Sequence, residues 1–317
     1  ALPIFMVIKT FAVMADRLRV GISVLALVSA VSFAAPLPAL ATTPAQSAQD
    51  DLPLFDFAYP TSLAGNYLAA RQAHIGRDFE AAAEFYTEAL RDDPENVDLK
   101  ERAFTFLVGT GQVDEAVPLA EEIVASDKNA RLARLTLAMD ALRRGQFTRA
   151  RSELRAGAQG PLADLSAAIL AAWTYTGQRR VDEAVRTVDA LNGPEWYNVF
   201  KNFHTGLMLD AVGRRKEAVD RFAAAYKLDP TGVRLVEAYA RSLMRNGRQS
   251  EAIETLLAFD KSVPDHPLIQ ATLRQIRDGA KMEPLVTTSR QGAGEFLYGL
   301  GAAIGREGAE DVGAVYL

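Results

Sequence analysis

The chain has 317 residues, of which 49% are hydrophobic and 24% charged, which is the composition of a folded protein rather than a disordered one. Its net charge of -5 lacks the basic excess typical of nucleic-acid-binding proteins, so we expect no nucleic-acid partner. The absence of cysteine excludes disulfides, thiolate metal sites and a cysteine nucleophile.

The first 41 residues have the features of a secretory signal peptide. Basic residues follow Met14, a mostly apolar stretch covers 20–35, and a small-x-small site ends at Ala41. Prolines end the apolar stretch, which is only about long enough to span a bilayer, so cleavage after Ala41 is favoured over an uncleaved inner-membrane anchor. We therefore interpret 1–41 as a leader that contacts the membrane transiently, and we expect a periplasmic protein.

A polar stretch separates this leader from the first predicted helix. Residues 42–62 are rich in Pro, Ala, Gln, Ser and Asp, a composition that indicates a flexible linker. The sequence also begins at Ala1 rather than at a methionine, and we expect it to be part of a longer reading frame.

Downstream of the linker, three residue types recur at a spacing of 34. The matching sets are Gly213, Ala218 and Pro230, then Gly247, Ala252 and Pro264; Gly111 and Ala116 recur as Gly145 and Ala150. Small residues let two helices approach closely, and glycine supplies the positive φ of a tight turn. Proline ends a helix because it has no N–H and clashes with the preceding turn. A regular period of this length predicts stacked helical hairpins.

The pattern resembles the tetratricopeptide repeat. The resemblance implies an all-α, right-handed superhelical solenoid of antiparallel helix hairpins, with about six repeats over 63–266. Extra residues near Arg77 and around Arg179 interrupt the spacing, and in the fourth copy Gly177 is the expected turn residue. Because a single hairpin cannot bury its apolar face alone, neighbouring hairpins must stack.

Residues 267–317 depart from this regularity. We predict an irregular helix and loop, with the loop over 283–294, followed by a truncated further repeat. The new copy opens at Glu295, with Gly301 as its small residue and Gly308 as its turn. We favour an interruption inside a longer array over a terminal cap.

The sequence contains no visible catalytic constellation. Its three histidines lie far apart along the array, and adjacent carboxylates such as Glu121 and Glu122 point in different directions on a helix. The glycines at 292 and 294 lack the preceding strand and the lysine of a phosphate loop. We expect neither a cofactor nor a metal, and no enzymatic activity.

In the family that the chain resembles, the first helices of the hairpins line a concave groove. The corresponding residues here are Leu132, Leu135, Met139, Leu142, Phe200, Phe203, Leu207, Arg234, Arg241 and Arg245. They predict an apolar groove with a basic end, which would hold a hydrophobic partner peptide, helical or not, and pair its acidic residues or its C-terminal carboxylate with arginine. For Leu135 and Phe203 a core position is an equal alternative. The aromatic residues 196, 197, 200 and 203 also fit the junction between two copies.

We therefore predict a non-catalytic scaffold or adaptor that binds a segment of an envelope protein. The basic and amide clamp of chaperone-tail-binding family members is absent, since residues such as Glu101 and Thr105 occupy its positions. The alternative is a targeting arm of an enzyme, such as a glycosyltransferase, with a catalytic domain beyond Leu317. The sequence leaves the oligomeric state open.

Overall fold

The computed structural model describes residues 62–306 together with Gly308, Gly313 and Tyr316, and within them the chain forms fourteen helices and no strand. The predicted leader 1–41, and the predicted linker 42–62 up to residue 61, lie outside the described residues. The helices are α1 (Leu63–Ile75), α2 (Phe79–Asp92), α3 (Val97–Gly109), α4 (Val113–Ser126), α5 (Arg131–Arg143), α6 (Phe147–Gly157), α7 (Pro161–Gly177), α8 (Val181–Asp189), α9 (Tyr197–Ala211), α10 (Arg215–Leu228), α11 (Val233–Arg245), α12 (Gln249–Ser262), α13 (Pro267–Arg277) and α14 (Ser289–Arg306).

Helices α1 to α12 form six hairpins that stack in chain order. Each of these helices packs mainly on the helix before it and the helix after it. The buried apolar residues form clusters that run from one hairpin to the next, as expected for an array in which each repeat contacts only its neighbours. The predicted all-α solenoid of helix hairpins is confirmed.

The second helix of every hairpin carries a fully buried alanine at the same repeat position. These residues, each 0% exposed, are Ala82, Ala116, Ala150, Ala184, Ala218 and Ala252, and they follow one another at intervals of 34. A side chain larger than a methyl group at these positions would push the helices apart, because interiors are close-packed. The 34-residue period therefore reflects the close approach of helices within the array.

The turn inside each hairpin contains one residue in the left-handed region. Four hairpins use glycine there, at positions 111, 145, 213 and 247, with φ between 74° and 84°. The remaining two use Arg77 (φ 60°) and Arg179 (φ 62°), which lie in the same 34-residue register as the glycines, so the predicted extra residues do not interrupt the spacing of the turns. Gly177, the predicted turn residue of the fourth hairpin, instead ends α7; the turn residue is Arg179, which lies 34 residues after Gly145 and 34 before Gly213.

Beyond the sixth hairpin the chain leaves the stacking order. Helix α13 packs on α11 and α12, as the first helix of a further hairpin would. The following segment buries Met282 and Val286, and α14 then begins at Ser289, inside the stretch expected to be a loop. The apolar residues of α14 are drawn into a helix because they pack on α7 and α9.

The chain turns again at the end of α14. Gly308 has a φ of 86°. A Cβ atom added to Gly313 would lie 2.9 Å from the carbonyl oxygen of Gly301, so the two glycines are in close contact. In the described part of the chain, no helix is both long enough and apolar enough to cross a bilayer.

Candidate partner-binding face

The first helices of three successive hairpins, α7, α9 and α11, lie side by side. We call the surface of α5, α7, α9 and α11 the first-helix face; α9 contacts both α7 and α11. This face is where the sequence placed the candidate groove. In the structure α14 lies on it, in contact with α7 and α9.

The closest approach of α14 to this face is at Gly292. A Cβ atom on Gly292 would lie 2.3 Å from the indole of Trp173, so only glycine lets the α14 backbone rest on this ring. Trp173 is fully buried, and its Nε1 donates a hydrogen bond to Nδ1 of His204 at 3.3 Å. At the start of α14, a Cβ atom on Gly177 would lie 2.8 Å from Oγ of Ser289.

One turn further along α14, Phe296 inserts among aromatic rings. Its ring centroid lies 5.3 Å from that of His204 and 6.2 Å from that of Phe200, both in edge-to-face geometry. Phe296 is 0% exposed. Leu300 and Ile304 continue the same buried stripe of α14, at the four-residue spacing that keeps side chains on one helix face.

Next to this aromatic contact, Glu295 pairs with the arginine at the start of α11. Nε of Arg234 donates to Oε1 of Glu295 at 2.9 Å, and its Nη2 donates to Oε2 at 2.6 Å. The Glu295 side chain is only 8% exposed. This two-point geometry is the strong and directional form of a carboxylate–guanidinium contact, and the bond to Glu295 raises the pKa of Arg234.

The other two predicted groove arginines also have carboxylate partners inside the array. Nε of Arg241 donates to Glu237 at 2.9 Å, and Glu237 also accepts a bond from Arg234. Arg245 donates to Asp210, whose pKa is raised by burial, a rise that the Arg245 guanidinium opposes. These pairs hold the basic end of the face in a fixed arrangement.

The predicted apolar residues are distributed between the face and the core. Leu132, Leu135 and Met139 are half-buried, the latter two against the same cluster as α14. Leu142 and Leu207 are 3% and 1% exposed. Among the aromatic residues, Phe200 meets α14, whereas Phe203 packs on Phe222 of its own hairpin and Tyr197 packs on the α7–α9 junction, where its hydroxyl donates to the Pro161 carbonyl.

The titratable groups near this face do not form a reactive arrangement. Burial lowers the pKa of His204 to about 3, so the ring is neutral and accepts the Trp173 hydrogen bond. Across the described ranges, no group of three or more histidine and carboxylate side chains is close enough to hold a metal ion.

Four residues that build this contact were not predicted from the sequence to take part in binding: Trp173, Glu295, Phe296 and the buried His204. The sequence did contain a feature from which the contact could have been predicted. Glu295 and Phe296 are adjacent, and their acidic and apolar side chains complement the predicted basic end and apolar stretch of the groove.

The model of the tetratricopeptide repeat family matches residues 76–139 and 211–276. Comparison with curated proteins gives no match. Among solved structures, YrrB, described as a TPR protein with an unusual peptide-binding site, is 17% identical; the match covers 61% of this chain and 99% of YrrB, with a TM-score of 0.38. The APC/C hetero-tetramer Cut9–Hcn1 is 13% identical over 69% of this chain and 43% of that one, with a TM-score of 0.45. MamA is 14% identical; the match covers 68% of this chain and 94% of MamA, with a TM-score of 0.31.

Proposed function

Because the chain carries tetratricopeptide repeats, we propose that it is a non-catalytic protein-interaction scaffold of the bacterial envelope. Its partner is a segment of an envelope protein, and the binding surface is the first-helix face with the apolar and arginine residues of α5, α9 and α11. After cleavage of the leader at Ala41 the protein is periplasmic. Stacked hairpins suit this role, since they present an extended surface on rigid elements.

The observation that carries the proposal is the docking of α14. A helix with an acidic and an aromatic residue sits on this face, its carboxylate on Arg234 and its ring on Phe200 and His204. The face thus has the chemistry needed to hold an amphipathic helix, one of the recurring modes of peptide recognition.

An affinity-capture comparison tests the proposal. The full chain is immobilised and exposed to an envelope extract, in parallel with the Phe200→Asp, Arg234→Glu double variant. Because the variant removes an aromatic contact and reverses the charge that meets an acidic residue, we expect its recovery of the specific partner to fall at least about tenfold.

The matched control carries the same two changes away from the face. Leu257→Asp on α12 and Lys216→Glu on α10 alter side chains that are exposed on second helices. The control is expected to capture the partner as the unchanged chain does. Equal capture by a correctly folded Phe200→Asp, Arg234→Glu variant contradicts the assignment of the face.

The second candidate is a targeting arm for an enzyme whose catalytic domain lies beyond Leu317. It uses the same face and differs only in what the array is attached to. The complete reading frame distinguishes the two. The mass of the exported protein likewise distinguishes cleavage after Ala41 from a retained inner-membrane anchor.

A further inference from the structure

We infer that α14 is an exchangeable intramolecular ligand of the first-helix face, and that the external partner is a helix with an acidic residue directly followed by an aromatic one, like Glu295–Phe296. The inference rests on the proposed function, since it specifies the partner and the regulation of that same face. Its basis is the contact chemistry of α14, its composition and its place outside the stacking order.

The face recognises two adjacent residues of α14 with two separate features. The guanidinium of Arg234 holds the Glu295 carboxylate through two hydrogen bonds. The rings of Phe200 and His204 surround Phe296. A competing helix with the same pair would satisfy both features, whereas a helix without the carboxylate would leave Arg234 without one of its two carboxylate partners.

The composition of α14 makes it a poor helix on its own. Five of its eighteen residues are glycine. Gly292 is required by the Trp173 ring, but a Cβ atom on Gly294, Gly299 or Gly305 would meet nothing within 4 Å. Gly294 and Gly299 lie in the helix interior, where each glycine lowers the equilibrium constant for helix formation about fourfold relative to alanine, whereas Gly305 lies in the last turn. At these three positions packing does not require glycine, so the composition weakens α14 without improving its fit.

The place of α14 in the fold allows it to leave without unfolding the array. Helices α1 to α12 obtain most of their contacts from their chain neighbours, and α14 is not a member of that stack. Repeat arrays are stabilised by such neighbour contacts, and elements outside them can open locally. The apparent affinity for a competing helix equals its affinity for the open face multiplied by the fraction of molecules in which α14 is undocked.

Hydrogen exchange on the full chain measures this opening directly. We expect the amides of α14 to exchange through an opening that leaves α7 and α9 protected. The variant Gly294→Ala, Gly299→Ala should slow exchange in α14 by about 16-fold, because two helix-stabilising changes of about fourfold multiply. Exchange of α14 only together with α7 and α9 would overturn the inference.

A peptide of residues 286–306 provides the probe for binding in trans. It is added to the full unchanged chain, to the Gly294→Ala, Gly299→Ala variant and to Glu295→Arg, in which like charges at Arg234 release α14. We expect the Glu295→Arg chain to bind the peptide at least about tenfold more tightly than the unchanged chain, and the double alanine variant to bind it at least about tenfold more weakly.

The outcomes separate the inference from the function on which it rests. If the Glu295→Arg chain binds the peptide, and a peptide with Glu295→Arg does not compete, the face recognises the acidic–aromatic pair. Equal binding by all three chains would overturn the exchange mechanism and leave the binding face intact. If the opened chain fails to bind the peptide while its array remains folded, the proposed binding face is itself wrong, and the inference falls with it.

Discussion

Helix α9 of the array and the docked helix α14 use glycine for different reasons. The single glycine of α9, Gly206, lies so close to the Phe222 ring that an added Cβ atom would be 2.8 Å from its carbons. In α14, by contrast, Gly294, Gly299 and Gly305 face open space. Packing thus requires the one glycine of α9, whereas α14 carries, besides the Gly292 that the Trp173 ring requires, three glycines that packing does not require. Helix α9 is built into its hairpin, and α14 depends on the face that it covers.

The largest expected effect is that of Phe222→Ala, which tests the packing of α9 within the array. Phe222 is 1% exposed and fills the space between α9 and α10 that Gly206 leaves. Loss of a buried phenylalanine typically costs about 3–5 kcal/mol, so we expect the free energy of unfolding to fall by that amount in urea titrations. Tyr298→Ala, at a side chain of α14 that is 53% exposed, serves as the control and should change it by less than about 0.5 kcal/mol.

The pH dependence of stability probes His204, which lies where the two regions meet. Burial holds its pKa at about 3 in the folded protein, while the unfolded chain takes up the proton near the ordinary value of 6.5. Between these values the unfolded state binds more protons, so stability falls as the pH decreases below 6.5.

We expect this loss to amount to about 1.4 kcal/mol per pH unit, or about 2 kcal/mol at pH 5. The variant His204→Gln, which keeps an acceptor for Trp173, should lose that part of the slope, whereas His74→Gln should retain it. Identical slopes for His204→Gln and the unchanged chain contradict a buried neutral histidine.

A matched pair of glycine substitutions sharpens the comparison itself. Gly206→Ala should destabilise the array by about 1–3 kcal/mol because its methyl group overlaps the Phe222 ring. Gly294→Ala should stabilise α14 by about 0.5–1 kcal/mol because its methyl group meets nothing. Urea unfolding reports the first change and hydrogen exchange within α14 the second. Effects of the same sign would remove the distinction between the two regions.

The smallest expected effect concerns a turn of the array. Arg179 has a φ of 62°, a conformation that is strained for any residue with a Cβ atom. Arg179→Gly should therefore raise the midpoint of thermal unfolding, with a gain of at most about 1 kcal/mol because glycine also loses more backbone entropy. A lower midpoint would show that the arginine side chain stabilises the turn by more than the strain costs.

The sequence predicts the array well because its signals are local and repeated. Ala218 and Ala252, and the turn glycines 213 and 247, recur at fixed spacing. Every hairpin needs a small residue where its helices meet and a residue in the left-handed conformation at its turn. The fourth turn was misplaced because Gly177 is the more usual turn residue, although it ends α7 and leaves the left-handed conformation to Arg179.

The docking of α14 could not be predicted from the repeat spacing. Its glycines resemble those of a loop, and the helix is stabilised by contacts with residues far away in the sequence, such as Trp173 and Arg234. Periodicity carries no information about such contacts, because they occur once and join segments outside the repeat. The candidate face itself was predicted by position, whereas its occupant in this chain was not.

The most direct test of α14 on the first-helix face is a disulfide between Gly177→Cys and Ser289→Cys. The sequence has no cysteine, so the two introduced thiols have no competitors. A Cβ atom at 177 lies 2.8 Å from Oγ of Ser289, close to the spacing of a Cβ and the opposite sulfur in a disulfide. The two single variants are the controls. A Cβ atom at 177 would also lie 2.6 Å from the Phe147 ring, so the Gly177→Cys single variant shows whether this substitution alone disturbs the fold. We expect a disulfide within one chain to form under mild oxidation, seen as a loss of two hydrogen atoms by mass and faster migration in non-reducing gels. A folded double variant that keeps both thiols free would contradict the docking of α14.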